Sequence, residues 1–319
     1  MNASSVRGRY APSPTGDLHL GNVRTALLAW LFARQAGGTF VLRVEDLDRP
    51  RVRPGAAAQM LEDLRWLGLD WDEGPDCGGP FAPYLQSERQ ATYDAYLAKL
   101  RTADLVYPCY CSRAEVARAA SAPQGAGDDG PRYPGTCRNL SAAERKAREA
   151  EGRRPCVRFR APDRLLAFVD LVAGPVAQNV AQAVGDFIVS RSDGIPAYQL
   201  AVVVDDGLMQ TTQVVRGADL LSSTARQIAL FEALGFAVPS FGHVPLVVDA
   251  QGARLAKRER AAGVGALRSA GIPAERVIGA LAASCGLCQP GETMNARELL
   301  ASCELERLRS VAAGPVEIG

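Results

Sequence analysis

The sequence predicts an α/β fold built around a parallel sheet. Two observations carry that reading. Short β-rich runs alternate with longer runs whose apolar residues recur at helical spacing, the order expected of strands joined by crossover helices. The chain also has 319 residues, enough for a large core and more than one domain.

The elements follow in order. "VRGRYAPSP" ends a first strand, and "LGNVRTALLAWLFARQAGG" reads as a helix stopped by Gly37 and Gly38. "TFVLRVED" reads as a second, buried strand. "AAAQMLEDLRWLGL" reads as a helix with Gly68 near its end. "QSERQATYDAYLAKL" places Ser87 and Gln90 at capping-box spacing before another helix. From Tyr107 to Arg160 the character changes. Three close cysteines, the loop "SAPQGAGDDGPR" and the polar helix "SAAERKAREAEG" indicate an insertion with its own small fold. "DFIVSRSDGIPAYQLAVVVDD" reads as a hairpin or pair of strands around Asp193-Gly194. "TARQIALFEALGF" reads as a helix, "HVPLVVD" as a last strand, and the chain after Lys257 as mostly helical. The expected division is 1–100 and 186–250 as two halves of the α/β domain, 101–185 as the insertion, and 251–319 as a loop and helical region.

Composition narrows the function. No run of about 18 apolar residues is present, so no transmembrane helix is expected. "MNASSVRGRY" lacks the apolar stretch of a secretory signal, and a cytoplasmic location is expected. Eight cysteines in such a chain point to thiols or a metal rather than disulfides. A net charge of +1 gives no global signature of nucleic-acid binding; any such surface must be a local patch.

The chemistry starts at His19, one of only two histidines. It stands at the mouth of the first helix, beside Gly21 and Asn22. A helix N-terminus presents free N–H groups and partial positive charge, and so suits phosphate. Gly21 would let a flat base approach the backbone. Taken alone, His19 reads as an ordinary helix start. The second signal is "ARLAKRER", with Arg254, Lys257 and Arg258 after the last strand. A mobile loop with a lysine can clamp a triphosphate, although a basic run alone reads as a solvated face.

Together, "PSPTGDLHLGN" and "RLAKR" resemble the HIGH and KMSKS motifs of class I aminoacyl-tRNA synthetases. "RYAPSPTGDLHLGNVRTAL", "LRVEDLDRPR", "DFIVSRSDGIPAYQLAVVVDD" and "VVRGADLLSSTARQ" are similar, in the right order, to the glutamate-specific branch of that class. The resemblance implies a Rossmann-type doubly wound parallel sheet with a small zinc-binding insertion and a short helical C-terminal region. It implies a catalytic role for His19 and Lys257. ATP, with Mg2+, would be met by His19, Gly21, Asn22, Arg254 and Lys257. For L-glutamate it implies carboxylate-binding arginines at Arg9 and Arg216, the Ala11-Pro12-Ser13 stretch, Glu45 at the ammonium and Tyr198 at the pocket wall. Arginine suits carboxylates because its donors form a fixed fork. Asp205 and Asp206 are left open between a structural and an orienting role.

Two departures from full-length glutamate enzymes shape the expectation. Only 62 residues follow Lys257, so no anticodon-binding domain is expected there. The set Cys109-x-Cys111 and Tyr133-x-x-x-Cys137 resembles the zinc site of the acceptor-arm insertion, but Asn139 stands where a histidine can complete that site. The pattern is most similar to the truncated branch, the glutamyl-queuosine tRNA(Asp) synthetases, in which a tyrosine serves as fourth ligand. That implies one structural zinc on Cys109, Cys111, Tyr133 and Cys137. It also implies tRNA-independent glutamate activation, followed by transfer to queuosine in the anticodon stem-loop of tRNA(Asp) by a monomer. Arg49, Arg51, Arg53 and the basic stretch from Arg145 to Arg160 are candidate phosphate contacts. The alternatives are charging of a tRNA 3′ end and non-catalytic binding of glutamate or nucleotide. Cys285-x-x-Cys288 reads as packed helical thiols, His243 as structural, and Cys77, Cys156 and Cys303 carry no signal.

Overall fold

The computed structural model describes residues 5–119, 131–247, 263–310 and 316. In chain order its elements are β1 (Arg7–Tyr10), α1 (Leu20–Gln35), β2 (Thr39–Leu42), α2 (Ala56–Trp66), α3 (Gln90–Thr102), β3 (Val106–Cys109), α4 (Arg113–Ala119), α5 (Ala142–Ala150), β4 (Cys156–Phe159) and β5 (Leu165–Asp170). Then follow β6 (Gly174–Asn179), α6 (Val180–Ala183), β7 (Phe187–Ser190), α7 (Tyr198–Leu208), β8 (Gln213–Gly217), α8 (Leu221–Leu234), β9 (Ser240–Val244), α9 (Val264–Ser269), α10 (Ala274–Ala283) and α11 (Ala296–Ser302).

The expected parallel sheet is present, in the order β2-β1-β8-β9. Arg7 to Tyr10 pair with Thr39 to Leu42, and Gln213 to Gly217 with Ser240 to Val244. Side chains alternate across a strand, and β8 shows both faces covered. Val215 joins a core of α1, α10 and α11 residues that includes Trp30, Leu27 and Leu281. Val214 joins a second core with Leu200, Val203 and Phe231 from α7 and α8. The insertion contributes an antiparallel sheet, β3-β4-β7, and a separate hairpin, β5-β6. Strand β7 lies beyond residue 185, yet it pairs with β4 and not with the parallel sheet.

Four local expectations are corrected. The chain does turn back at Asp193-Gly194, where Ser190 and Pro196 form an antiparallel bridge, but no second long strand follows: β7 ends at Ser190 and residues 198–208 are helix α7. Val202, Val203 and Val204 are wholly buried. An apolar run buried on all sides has no periodicity to separate strand from helix, and burial overrides the β-preference of valine. Ser87 does not cap α3. Its backbone N–H and hydroxyl donate to Asp46 at 2.8 and 2.6 Å, and Arg89 occupies the N-cap without a side-chain bond. The capping box forms instead at Ser141 and Glu144, at the start of α5. The last strand begins at Ser240 and ends at Val244, earlier than the motif "HVPLVVD" suggests, and Cys285 and Cys288 follow α10 instead of lying within it.

Gly279 shows how tightly the C-terminal helices close. A Cβ there would stand 1.9 Å from the carbonyl oxygen of Glu292. Backbone cannot yield as a flexible side chain can, so Gly279→Ala should destabilise the fold by about 1–3 kcal/mol or more. A melting temperature equal to that of the parent chain would contradict this close approach.

Candidate active site

A cavity of about 600 Å³ opens at the C-terminal ends of the parallel strands, where ligands of open α/β sheets bind. Arg9, Ala11, Pro12 and Ser13 enter it from the end of β1, and His19, Gly21 and Asn22 from the start of α1. Glu45 enters after β2, Tyr198 from the first turn of α7 and Arg216 from β8. Ten expected site residues therefore share one cavity. Arg254 and Lys257 lie outside the described residues.

His19 is the N-cap of α1, in extended backbone, and its Nδ1 accepts the N–H of Asn22 at 3.3 Å. That bond requires an unprotonated Nδ1, so the neutral ring carries its proton on Nε2. Burial lowers the His19 pKa and favours the same neutral form. Gly21 lines the cavity, and it has a second use. A Cβ there would lie 3.2 Å from two atoms of the imidazole, so the missing side chain makes room for His19 itself.

Behind the cavity lies a buried ionic cluster that the sequence reading only partly reached. Asp206 accepts from Arg43 at 2.8 Å and from Arg9 Nε at 3.4 Å. Arg43 also donates to Glu45 at 3.1 Å and lies 3.6 Å from Asp205. Asp205 takes bonds from Arg89, Gln86 and Tyr93 at 2.7, 2.8 and 2.9 Å. The two aspartates thus divide: Asp206 bridges Arg43 and the cavity's Arg9, and Asp205 anchors the segment before α3. Burial raises the Asp206 pKa, but the Arg43 and Arg9 charges outweigh it and hold the carboxyl below its usual range. For Glu45 burial wins over the same two arginines, and its pKa is raised. Arg43 was legible in principle, as a charge inside the apolar run "TFVLRVED". The backbone N–H of Glu45 donates to Pro12 O at 2.9 Å, tying the Ala11-Pro12-Ser13 loop to this cluster.

The two pocket arginines are held differently. Arg9 uses Nε on Asp206 and one Nη1 proton on Val215 O, leaving Nη2 and a second Nη1 proton for a ligand. Arg216 is 4% exposed and donates to His243 at 3.0 Å, Gln227 at 2.7 Å, Thr224 at 2.9 Å and Leu220 O at 3.3 Å. Those four partners are uncharged acceptors. Burial lowers the Arg216 pKa, as expected for a guanidinium without a contacting carboxylate.

The cysteines gather away from this cavity. The sulfurs of Cys109, Cys111 and Cys137 lie within 4.8 Å of one another, the one such group of three metal-binding side chains among the described residues. Cys111 and Cys137 are 3.5 Å apart, and the Tyr133 hydroxyl lies 3.4 Å from Cys109. A tetrahedral zinc with sulfur bonds near 2.3 Å spaces its sulfurs by about 3.8 Å, so these donors fit that ion. Asn139 is exposed. Cys156, which carried no signal, is the register partner of Cys109. Hydrogen bonding from Cys156, with help from Tyr133 and Arg158, holds the Cys109 thiol well below its usual range. Arg158 donates to that sulfur at 3.2 Å and is buried, so it is not a surface phosphate contact. Arg153 pairs with Glu115 at 2.9 Å. Arg49, Arg51, Arg53 and Arg154 are exposed.

Residues 5–312 match the family described as tRNA synthetases class I (E and Q), catalytic domain. The chain belongs to that family. A glutamyl-Q tRNA(Asp) synthetase from Symbiobacterium thermophilum is 56% identical over 301 residues, covering 94% of this chain and 93% of that protein. A glutamate–tRNA ligase 2 from Syntrophus aciditrophicus is 44% identical, covering 96% of this chain but 63% of the ligase. Among solved structures, a glutamate tRNA ligase from Elizabethkingia meningosepticum in complex with its amino acid superposes with a TM-score of 0.83 at 31% identity, over 98% of this chain and 67% of that one. The matched span includes both His19 and Lys257. No helix among the described residues of this synthetase-family chain is long and apolar enough to cross a membrane.

The burial of its two histidines sets a pH response. Burial lowers both the His19 and His243 pKa values from 6.5. The unfolded chain therefore takes up protons first on acidification. The stability held by the neutral rings is complete above pH 6.5 and is lost as pH falls towards the folded-state values. An NMR titration of the folded chain should give two midpoints below 6.5. A midpoint at or above 6.5 for either ring would contradict the burial argument.

Proposed function

We propose that this chain activates L-glutamate with ATP, without tRNA, and transfers the glutamyl group to queuosine at the wobble position of tRNA(Asp). The observation that carries the first half is Arg216: a buried guanidinium at the cavity whose four bonded partners are all uncharged. A buried cation without a counter-charge is costly unless an anion arrives. Arg9, with donors left over on the opposite wall, suits the second carboxylate, and Glu45 suits the ammonium. Ala11, Pro12, Ser13 and Tyr198 shape the rest of the glutamate site.

The chemistry is positioning and charge stabilisation. An oxygen of the glutamate α-carboxylate attacks the α-phosphorus of ATP, and pyrophosphate leaves. His19 presents Nε2–H as a donor to phosphate oxygen, beside the start of α1 at Gly21 and Asn22. Arg254 and Lys257 are assigned to the same phosphates by motif. Mg2+ travels with ATP and shields its charge. The queuosine acceptor is supported by the 56% identity to a relative named for that reaction, matched over 93% of its length. In the insertion, Cys109, Cys111, Cys137 and Tyr133 would hold one structural zinc, tying the end of β3 to the segment before α5.

Exchange of pyrophosphate into ATP should depend on glutamate and not on tRNA, and Lys257→Ala should lose on the order of 100-fold or more. A strict requirement for tRNA would refute the first half. An anticodon stem-loop of tRNA(Asp) carrying queuosine should accept glutamate, and the same stem-loop with guanosine should not. An ester on a tRNA 3′ end, or equal reaction of both stem-loops, would place the chain with the glutamate–tRNA ligases.

Metal analysis should find one zinc per chain under reducing conditions. Cys111→Ser should destabilise the insertion more than it harms adenylate formation; loss of exchange with the fold intact would place the metal nearer the chemistry.

A further inference from the structure

His243 reads as structural in the sequence, yet its surroundings are more specific than packing requires. It lies on β9 in direct register with Arg216 on β8, so both side chains leave the same face of the sheet. The ring is buried, and its polar neighbours come from three other elements. Nδ1 lies 2.6 Å from Asp170 Oδ2, at the end of β5. Nε2 lies 3.0 Å from Arg216 Nε and 3.1 Å from Thr224 Oγ1, on α8. Arg216 Nε can only donate, so Nε2 is an unprotonated acceptor and Nδ1 carries the proton. Asp170 is itself fixed: its Oδ1 accepts the backbone N–H groups of Val172, Ala173 and His243 at 3.0, 2.8 and 3.0 Å.

Resting on the reading that Arg216 meets a carboxylate of glutamate, we infer that Asp170 and His243 are positioning residues for that substrate. Asp170 selects the Nδ1–H tautomer. The tautomer leaves Nε2 as the acceptor that holds Arg216 by Nε, while Gln227, Thr224 and Leu220 hold its terminal nitrogens. The guanidinium plane is then set before substrate arrives. Because Asp170 belongs to the insertion's hairpin, the insertion helps to build the glutamate pocket from outside it. A residue that merely filled space would need no particular tautomer.

The chain has only two histidines, so the test is direct. Nitrogen-15 labelling gives two ring spin systems, distinguished by His19→Asn. His243 should be the Nδ1–H tautomer in the parent chain. Asp170→Asn keeps an oxygen for the backbone amides but can turn an amide N–H towards Nδ1. The ring should then switch to Nε2–H, which opposes Arg216. In glutamate-dependent pyrophosphate exchange, the KM for glutamate should rise about tenfold or more in Asp170→Asn and in His243→Leu, with the KM for ATP within about twofold. His243→Gln, whose amide oxygen can replace Nε2 as acceptor, should recover most of that loss. Circular dichroism and melting establish that each variant is folded, and the His243→Leu and His243→Gln pair decides if Asp170→Asn is not. An Nε2–H tautomer in the parent chain, an unchanged glutamate KM in the variants, or equal rises for glutamate and ATP would overturn the inference. A parent chain with no glutamate-dependent exchange would instead overturn the glutamate reading, and the positioning role with it.

Discussion

The carboxylate of Asp206 lies between two guanidinium groups, Arg43 and Arg9, and the shape of the pocket depends on that bridge. Through it, the end of β1, the segment after β2 and helix α7 are held together. Arg43 extends the bridge to Glu45 and Asp205, and Asp205 extends it to Arg89 before α3. Each of these ions has left water, at a cost of several kcal/mol that only close opposite charges offset. Removing one member strands the others, with a typical loss of about 3–5 kcal/mol. An exposed pair such as Arg51 and Asp48, 3.9 Å apart, is by contrast worth about 0–1 kcal/mol. The buried cluster therefore fixes the height at which the loops leave the sheet, and the surface pairs do not.

That rigidity reaches the residues above it. Glu45 is fixed twice, by Arg43 at its carboxylate and by Pro12 O at its backbone. The Pro12 bond carries the position of β2 into the loop before α1. Arg24, in α1, then donates to Ser284 and to Pro245 O, linking the same helix to the C-terminal region and to the segment after β9. A cavity assembled from five separate parts of the chain thus has few independent ways to move.

The sequence made part of this legible, and the divide is physical. Local signals succeeded: the start of α1 at His19, its stop before Gly37, and the order of strands and helices. So did motif-based assignment of Arg9, Glu45, Tyr198 and Arg216 to one cavity, because each sits at the end of a parallel strand or the start of a helix. The failures were contacts made at long separation. Ser87 had correct capping spacing, but its N–H and hydroxyl donate to Asp46, 41 residues away. The run before Asp205 has no periodicity because it is buried on every side. Asp170 and Thr224 could not be paired with His243 from the sequence, since only the folded insertion and α8 bring them there. Arg254 and Lys257 lie outside the described residues, so the geometry tests neither.

The contrast between Arg43 and Arg216 explains why the pocket suits an anion. Both are buried arginines, but Arg43 faces three carboxylates, which raise its pKa despite burial, whereas burial prevails at Arg216. A carboxylate directly against Arg216 would hold it equally well, but it would also cancel the charge that attracts substrate. A neutral imidazole avoids that conflict: it accepts one N–H, fixes the plane and leaves the positive charge in place. An imidazole can rotate and change tautomer, however, and needs its own restraint. Asp170 supplies it one ring further away, where its charge bears less on Arg216 than a contacting carboxylate would. Arg9, Arg43 and Arg216 together face Glu45 and Asp206, leaving the cavity one positive charge in excess once Asp205 is assigned to Arg89. Glutamate, with two carboxylates and one ammonium, matches that excess; a neutral amino acid, with one carboxylate, would leave the positive charge in excess.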